Sequence, residues 1–294
     1  MPPDRQARDQ AAATALEFPT DKAALSQAFA NTYNTTADAT PWELCRQYLT
    51  MLDYTAQNPD AGRHAVANAI GEEIPPGRVR PWLDNSMPDA MRGIQACEAH
   101  GWLDLTWDGP TLHNLGVLIA WVFSGGSITS HWVPQLAVED EATEQRAYRL
   151  LRALDEQPEA VRADDAGRAT EVRPTEDAAP LGRLVTVLGA PQGVKNRQTN
   201  LSLPPWLTNA AHSIQLAFAR TYVMNRATPR DDRPQTPVQM AEQRSPGYRQ
   251  ELTTFFDAVA DADVTRGDSE TIRLTQAGAN RLHQPPAIHG DSNE

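Results

Sequence analysis

One uninterrupted apolar segment constrains this chain more than any other feature. Residues 115–123 read Leu-Gly-Val-Leu-Ile-Ala-Trp-Val-Phe, and the run stops at Ser124-Gly125-Gly126. A membrane-spanning helix needs about 18 to 20 such residues, so this segment is too short to cross a bilayer. We expect a helix over about 114–124 that ends at the glycine pair and belongs to a globular core.

Length and composition favour a globular protein of more than one module. The chain has 294 residues, of which 40% are hydrophobic. That fraction suffices for a core, while 23 prolines and a mean hydropathy of −0.53 indicate long polar connections. Cys45 and Cys97 cannot form a disulfide framework or, unaided, a zinc site. The first residues lack the basic segment followed by an apolar one that a secretory signal requires, so we expect a cytoplasmic protein. We also expect no cofactor, no metal and no membrane partner, since no motif for them is present.

The charge balance is acidic but does not exclude a nucleic-acid partner. There are 38 acidic and 26 basic residues, a formal net charge of −12, and only Lys22 and Lys195 are lysines. This composition resembles that of proteins from salt-loving archaea, although a high-GC codon bias would also replace lysine by arginine. In molar salt, charges are screened over roughly 3 Å. Local contacts then decide DNA binding, rather than the net charge.

The pattern along the chain predicts an α+β protein divided into several parts. The N-terminal part is expected to contain a helix around 21–33, helices over about 41–57, 62–70, 77–83 and 89–99, and a strand over 102–107. The second part is expected to begin with the helix over 114–124 and a hairpin formed by 127–129 and 132–138. The predicted parts are a flexible arm (1–40), a helix-turn-helix domain (41–110), a larger domain (111–284) with an acidic insertion at about 155–179, and a disordered tail (285–294).

Residues 41–110 have the element order of a winged helix-turn-helix, with the strand over 102–107 as the wing. The third short helix carries two arginines at its N-terminal end, where a recognition helix meets base edges. The candidate DNA contacts are Arg63, His64, Arg78, Arg80 and Trp82. A plain helical bundle with a buried Trp82 remains the alternative, because Pro81 limits the third helix to a turn or two.

The second part carries motifs in a specific order. The segment Leu118-Ile-Ala-Trp-Val-Phe-Ser-Gly-Gly126, followed by Ser-Ile, resembles the LAGLIDADG motif of homing endonucleases. The segments Trp132–Val138, Leu184–Lys195 and Leu203–Leu207, with the helix that follows, are similar to later parts of the same family. The resemblance covers about 112–228, with a weaker continuation to 282. It implies two αββαββα repeats joined by their motif helices.

Small residues recur every four positions on both expected motif helices. Residues of one helix face are three or four apart, so such a stripe allows two helices to approach closely. Chance spacing in an alanine-rich chain is the alternative. The predicted interface residues are Gly116, Ala120, Ser124, Ala217, Thr221 and Asn225.

The resemblance also shows where the chain departs from a nuclease. The catalytic acids of the family would fall on Gly125 in the first copy and on Arg226 in the second. Phosphodiester cleavage by this fold requires carboxylates that hold Mg²⁺, and neither glycine nor arginine does so. We therefore expect no cleavage, unless Glu139 and Asp140 provide a relocated metal site.

A basic block supports a DNA partner despite the missing acids. Residues 183–233 contain seven cations and two acids, a net charge of +5 within an acidic chain. The expected contacts with the DNA backbone are Lys195, Arg197, Arg220, Arg226 and Arg230. The sequence thus favours a double-stranded-DNA-binding regulator of transcription or replication that does not cut, similar in architecture to a bacterial sporulation regulator family but with the helix-turn-helix first. An active endonuclease and a protein-interaction scaffold are the alternatives.

Overall fold

The computed structural model describes residues 16–71, 74–162, 169–193, 195, 201–230, 232–261, 265–267 and 270–290. These residues form an α+β protein, as the sequence predicts. None of the described helices combines the length and apolar composition that a membrane span requires.

Five helices of the described chain form an N-terminal unit. Asp21 accepts hydrogen bonds from two backbone amides at the start of the first helix, and Thr40 with Glu43 forms a capping box at the start of the second. Met51, Val66 and Val79 lie in their shared core. The helices are α1 (Lys22–Ala30), α2 (Pro41–Gln57), α3 (Arg63–Ile70), α4 (Pro76–Leu83) and α5 (Asp89–Ala99).

The predicted wing strand is wrong. Gly101 has a positive φ of 66°, and the amide of Trp102 donates to the carbonyl of Cys97, so α5 ends in a left-handed cap. Residues 102–107 then form turns and irregular backbone. The apolar residues Trp102, Leu103 and Leu105 are buried in the core, which explains the apolar and polar pattern of this segment. The segment does not pair with a strand in the described structure.

The first of two similar units follows directly. Its sheet is antiparallel with the strand order β1-β2-β4-β3, and Leu136 lies opposite Val172 on the buried face. Alternate residues of β2 point into the core, which is the pattern of a sheet with one covered face. Its elements are α6 (Pro110–Ser124), β1 (Gly126–Ile128), β2 (Pro134–Val138), α7 (Glu141–Ala153), β3 (Pro158–Val161), β4 (Thr170–Pro174) and α8 (Ala178–Val187).

The second unit repeats the same order of elements. Its sheet has the order β5-β6-β8-β7, which is the first sheet's order moved along the chain. A 3₁₀ helix, Pro205–Asn209, leads into it. Its elements are α9 (His212–Arg226), β5 (Thr228–Pro229), β6 (Val238–Ala241), α10 (Pro246–Ala260), β7 (Thr265–Gly267), β8 (Thr271–Leu274) and α11 (Gln276–Leu282). The described chain therefore carries an αββαββα unit twice.

The two units meet along α6 and α9, which pack against each other. Every residue of α6 from Leu112 to Ser124 is buried. A Cβ atom added at Gly125 would lie 3.4 Å from the Cβ of Asn225, and the Asn225 amide donates to the Ser124 hydroxyl at 3.0 Å. The C-terminal ends of the two helices are thus in direct contact.

The predicted acidic insertion over 155–179 is wrong, since the segment contains β3 and β4. Cross-strand ion pairs offset its charge: Arg173 donates to Glu159 at 2.6 Å and Arg162 to Glu171 at 2.8 Å. Residues 163–168, between the strands, lie outside the described residues. The number of charges along the sequence predicts a linker here, because it does not show which charges lie opposite each other on paired strands.

The arm and the tail are also more ordered than predicted. Leu25 and Phe29 of α1 are fully buried, so only residues 1–15 of the arm lie outside the described structure. At the other end, residues 285–290 pack on α6, where Asn114 exchanges two hydrogen bonds with the backbone of His289 at 2.9 and 3.1 Å. The prediction of a disordered tail is therefore wrong for 285–290, and residues 291–294 lie outside the described structure.

α8 packs closely on the turn between β1 and β2, and a substitution at Gly182 tests this contact. A Cβ atom at Gly182 would lie 1.6 Å from the carbonyl oxygen of Trp132 and 3.2 Å from Pro134. We expect Gly182→Ala to lower the free energy of unfolding by about 1–3 kcal/mol or more, because the backbone has to move. Urea unfolding measures the change.

Gly77 provides the matched control. It is also helical, but a Cβ atom there meets nothing within 4 Å. Gly77→Ala should leave stability unchanged or raise it by up to about 1 kcal/mol. Equal stabilities of the two variants would contradict the close approach of α8.

Candidate functional site

The N-terminal candidates divide between surface and core. Arg63 and His64 are exposed at the start of α3, and Arg80 is exposed on α4, 3.9 Å from Asp84. Arg78 is half-buried and donates to the side chain of Gln47 on α2 at 3.0 Å. α4 spans only eight residues and contains Pro81, as the sequence indicates.

Trp82 belongs to the core of the N-terminal unit. Its side chain is buried and lies edge-on to Tyr48, with ring centroids 5.8 Å apart. This is the position that the helical-bundle alternative assigns to it. In this arrangement the indole stabilises the packing of α2 on α4 and does not face a ligand.

A second group of charged residues lies where α6 and α9 end. We call it the helix-end cluster, and it consists of Lys195, Tyr222, Arg226, Glu242 and Arg244. Arg226 is the last residue of α9, Glu242 directly follows β6, and Arg244 precedes α10. Lys195 comes from the segment between α8 and the 3₁₀ helix. Three separate parts of the chain therefore converge where α6 and α9 end: the segment of Lys195, α9 itself, and the connection between β6 and α10.

Lys195 caps the C-terminal end of α6. Its ammonium group donates to the carbonyl oxygens of Val122, Phe123 and Gly126 at 2.5, 3.3 and 2.6 Å. The last carbonyls of a helix have no partner within the helix and carry its negative dipole end. A cation is therefore the favoured partner at this position.

Arg244 links the same helix end to a buried carboxylate. Its guanidinium donates to the carbonyl of Phe123 at 2.5 Å and to the hydroxyl of Tyr222 at 2.7 Å. Tyr222 in turn donates to Glu242 at 2.5 Å. Arg244, Tyr222 and Glu242 thus form a continuous network that is almost closed to solvent.

Glu242 is the only acid of the cluster, and it is already engaged. Its side chain is 1% exposed, and one oxygen accepts from Tyr222, with Arg244 at 3.5 Å and Arg226 at 3.9 Å. The other oxygen has no hydrogen-bond partner among the described residues. Two arginines therefore face one carboxylate, and Lys195 adds to the excess of positive charge when it is protonated.

The excess of cations affects the protonation of Lys195. Burial lowers the pKa of this lysine to about 7, and the charges of Arg244 and Arg226 act in the same direction, while Glu242 opposes them. Arg226 is more open than Arg244, with side chains that are 30% and 9% exposed, and it also donates to the carbonyl of Ala241. An incoming anion would meet Arg226 first.

Gly125 and Arg226, the two positions that the sequence resemblance assigns to catalytic acids, lie at the ends of α6 and α9. Of the alternative acids, Asp140 caps α7 by accepting from the amide of Thr143 at 2.7 Å, and Glu139 is exposed beside it. No group of three or more His, Cys, Asp or Glu side chains in the described residues is arranged to hold a metal ion. The side chains that the described structure brings to the two helix ends are therefore mainly cationic.

The other predicted cations lie outside the cluster. Arg220 donates to the carbonyl of Arg281 at 3.1 Å within the second unit, and Arg230 donates to Thr236 at 3.1 Å beside β6. Arg197 lies outside the described residues. The basic block of the sequence is therefore divided between several places.

The six predicted interface residues lie on the paired helices. Gly116 faces Ile214, to which an added Cβ atom would lie 3.4 Å away, and Ser124 contacts Asn225. The hydroxyl of Thr221 donates to the carbonyl of Ala217 at 2.8 Å, and that of Ser124 donates to Ala120 at 2.7 Å. These bonds satisfy polar groups within each helix and leave compact surfaces.

The two sheets carry different polar side chains on their outward faces. On the first sheet, Arg173 is paired with Glu159. On the second, the strand register places Thr228, Gln239 and Arg273 in one row that alternates with buried residues. This row begins at Thr228, two residues after Arg226 at the end of α9.

Sequence reasoning missed Tyr222, Glu242 and Arg244. The last two lie beyond the basic block, which ends at residue 233, and an isolated Glu-x-Arg has no recognisable meaning. The repeat itself offered a signal, since Glu242 follows β6 as Glu139 follows β2. A comparison of the two units strand by strand could have identified it.

No protein-family model matches this chain, and a search of curated proteins finds no match either.

Lys195 predicts a pH dependence of stability. Its pKa of about 7 in the folded protein lies below its ordinary value of 10.5, so the native state binds fewer protons between these values than the unfolded state. The free energy of unfolding attributable to Lys195 should therefore rise with pH from about 7 to 10.5, by at most about 1.4 kcal/mol per pH unit. Urea unfolding at several pH values measures it.

Lys195→Met should lose this rise relative to the wild-type protein. The control is Lys22→Met, which replaces an exposed lysine of α1 that pairs with Asp104 at 2.9 Å. That variant should keep the wild-type slope between pH 7 and 10.5. An identical slope for wild type and Lys195→Met would show that Lys195 does not titrate in this range.

Proposed function

We propose that this protein binds double-stranded DNA without cutting it and acts as a regulator of transcription or replication. The observation that carries the proposal is the helix-end cluster, in which two arginines, one lysine and one engaged carboxylate lie where two paired helices end. Phosphate groups are the anions that such a cationic surface suits best. The proposal places a DNA phosphate against Arg226, which is the more exposed of the two arginines of the cluster.

The repeated αββαββα units support a saddle-like DNA-binding surface. A LAGLIDADG-like arrangement, which the motifs of the sequence resemble, would lay the two sheets along the DNA, with the helix ends between them. Gln239 and Arg273 on the second sheet are side-chain types that read adenine and guanine in the major groove.

The N-terminal unit supplies a second candidate contact in this proposal. Arg80 at the surface of α4 forms only a weak pair with Asp84 in the described structure, since this pair is exposed and 3.9 Å long, and Arg63 at the start of α3 has no ion-pair partner among the described residues. A helix-turn-helix formed by α3 and α4 would read bases through Arg80. The helix-end cluster would hold the backbone.

Arg226→Ala and Arg80→Ala test this division of labour. Loss of a phosphate contact at Arg226 should weaken binding to all sequences alike and reduce the slope of log K against log salt by about 0.9. Loss of a base contact at Arg80 should cost about 1–3 kcal/mol on the preferred sequence and little on others. Fluorescence anisotropy with a selected and a scrambled duplex measures both.

The control is Arg92→Ala, which removes an exposed arginine of α5 that pairs with Asp89. This variant should bind both duplexes like wild type. If Arg226→Ala and Arg80→Ala lower the affinity for the two duplexes to the same extent, the proposed roles are contradicted.

A binding selection and a nicking assay decide between the proposal and its alternatives. The purified chain is incubated with a random duplex library in about molar KCl, bound molecules are sequenced, and supercoiled plasmid with Mg²⁺ is checked for nicks. Enrichment of one short motif with intact plasmid is the expected result. Nicks would favour an endonuclease, and absence of binding at every salt concentration would favour an interaction scaffold.

A further inference from the structure

A separate group of ionisable residues joins the N-terminal helices to the first αββαββα unit. His100, directly after α5, lies between two carboxylates of that unit. Its Nδ1 is 3.2 Å from Asp155, which follows α7, and its Nε2 is 3.0 Å from Asp177, which precedes α8. One imidazole therefore connects the ends of three helices.

The ring of His100 is held in place by its surroundings. It stacks on Trp102 with centroids 4.2 Å apart and an angle of 13° between the planes. Trp102 is buried and donates from its indole nitrogen to the carbonyl of Leu154 at 3.0 Å. The imidazole is thus fixed where both of its nitrogens meet a carboxylate, an arrangement that favours the doubly protonated ring.

Glu156 is 1% exposed, and it lies close enough to His100 and Asp177 for their charges to affect its pKa. Neither of its carboxylate oxygens has a hydrogen-bond partner in the described structure. The backbone amides of Glu176 and Asp177 lie near the carboxylate and lower its pKa, but neither forms a hydrogen bond of good geometry with it. The charged groups nearby are His100 and Asp177. A buried carboxylate without partners is much more stable when protonated.

We propose that His100 and Glu156 form a proton-operated latch that fixes the N-terminal helices on the first αββαββα unit. With both groups protonated, the four side chains of Asp155, Asp177, His100 and Glu156 carry a net charge of −1. With both deprotonated they carry −3, and the charges repel one another across the junction. This inference concerns how the two parts are held together and does not depend on what the protein binds.

Both ionisations act in the same direction. Burial opposes protonation of His100, but its hydrogen bonds to Asp177 and Asp155 outweigh this and raise its pKa above 6.5. Burial raises the pKa of Glu156 to about 7, although the charge of His100 opposes the shift. The native state then binds more protons than the unfolded one, so the latch is closed at acid pH and weakens as the pH rises through neutrality.

The other ionisable groups of the junction do not reverse this direction. Arg183 of α8 donates to the backbone of Thr32 and lies over the ring of Tyr33, 3.9 Å from its centroid. Arginine keeps its charge in this pH range, and burial raises the pKa of Tyr33 to about 12, so both groups stay as they are.

On α5, Cys97 is buried with a pKa raised by burial and by the charge of Asp177, so it stays a neutral thiol. Glu98 is exposed and faces Lys22 of α1 at 3.6 Å. Glu176 is exposed at the turn before α8.

Hydrogen exchange of the full chain, followed by mass spectrometry and corrected for intrinsic pH effects, tests the latch. In wild type, protection of residues 89–105 should fall about tenfold or more between pH 6 and pH 8.5, while β6 and β8 of the second unit keep theirs. Glu156→Gln, an uncharged mimic of the protonated acid, should retain most of the protection at pH 8.5. His100→Gln should show low protection at both pH values.

Asp155→Asn provides a second test at an exposed position, in case a variant at a buried position fails to fold. The Asp155 side chain is 84% exposed, and its residue has a positive φ of 60°, which asparagine tolerates. Removing this carboxylate should move the midpoint of the protection change to lower pH. His131→Gln, at an exposed histidine, should leave it unchanged. Equal wild-type protection at both pH values, or an unmoved midpoint in Asp155→Asn, would overturn the proposal.

Discussion

The packing of α6 against α9 is the interaction on which the rest of the structure depends. α6 is buried over nearly its whole length, so it can exist only if other elements surround it. β1 and β2 of the first sheet, α7, α8 and the C-terminal residues 285–290 cover the sides that α9 leaves open. Burial of this one helix therefore joins two αββαββα units that would otherwise be separate.

The same contact determines the chemistry of the helix ends. Where α6 and α9 meet, their last carbonyl groups lie close together, and these groups require donors. Lys195 and Arg244 provide them and bring a cation excess that Glu242 offsets only in part. The cations are thus held by the fold itself, and Arg226 beside them remains open to an anion. A carboxylate at either helix end would face the negative ends of both helix dipoles.

Much of the helical architecture could be predicted from the sequence. Proline, glycine and the apolar period located α2, α6 and α9 within a few residues, because these signals act over one or two turns. The strands were harder. β3 and β4 were missed because their arginines and glutamates neutralise each other only after pairing, and the wing was predicted from an alternation that arises from burial alone. The site was predicted in part: Lys195 and Arg226 were named, but Glu242 and Arg244 join them only through the second sheet.

Photo-crosslinking at position 228 tests the central claim most directly. Thr228 is exposed at the start of β5, two residues after Arg226 at the end of α9. A photoreactive residue in its place should crosslink to bound duplex DNA in high salt with Mg²⁺, and the DNA should stay intact. DNA that binds without crosslinking at 228, or that is cleaved when it binds, would contradict the account of the paired helix ends as a non-cutting phosphate site.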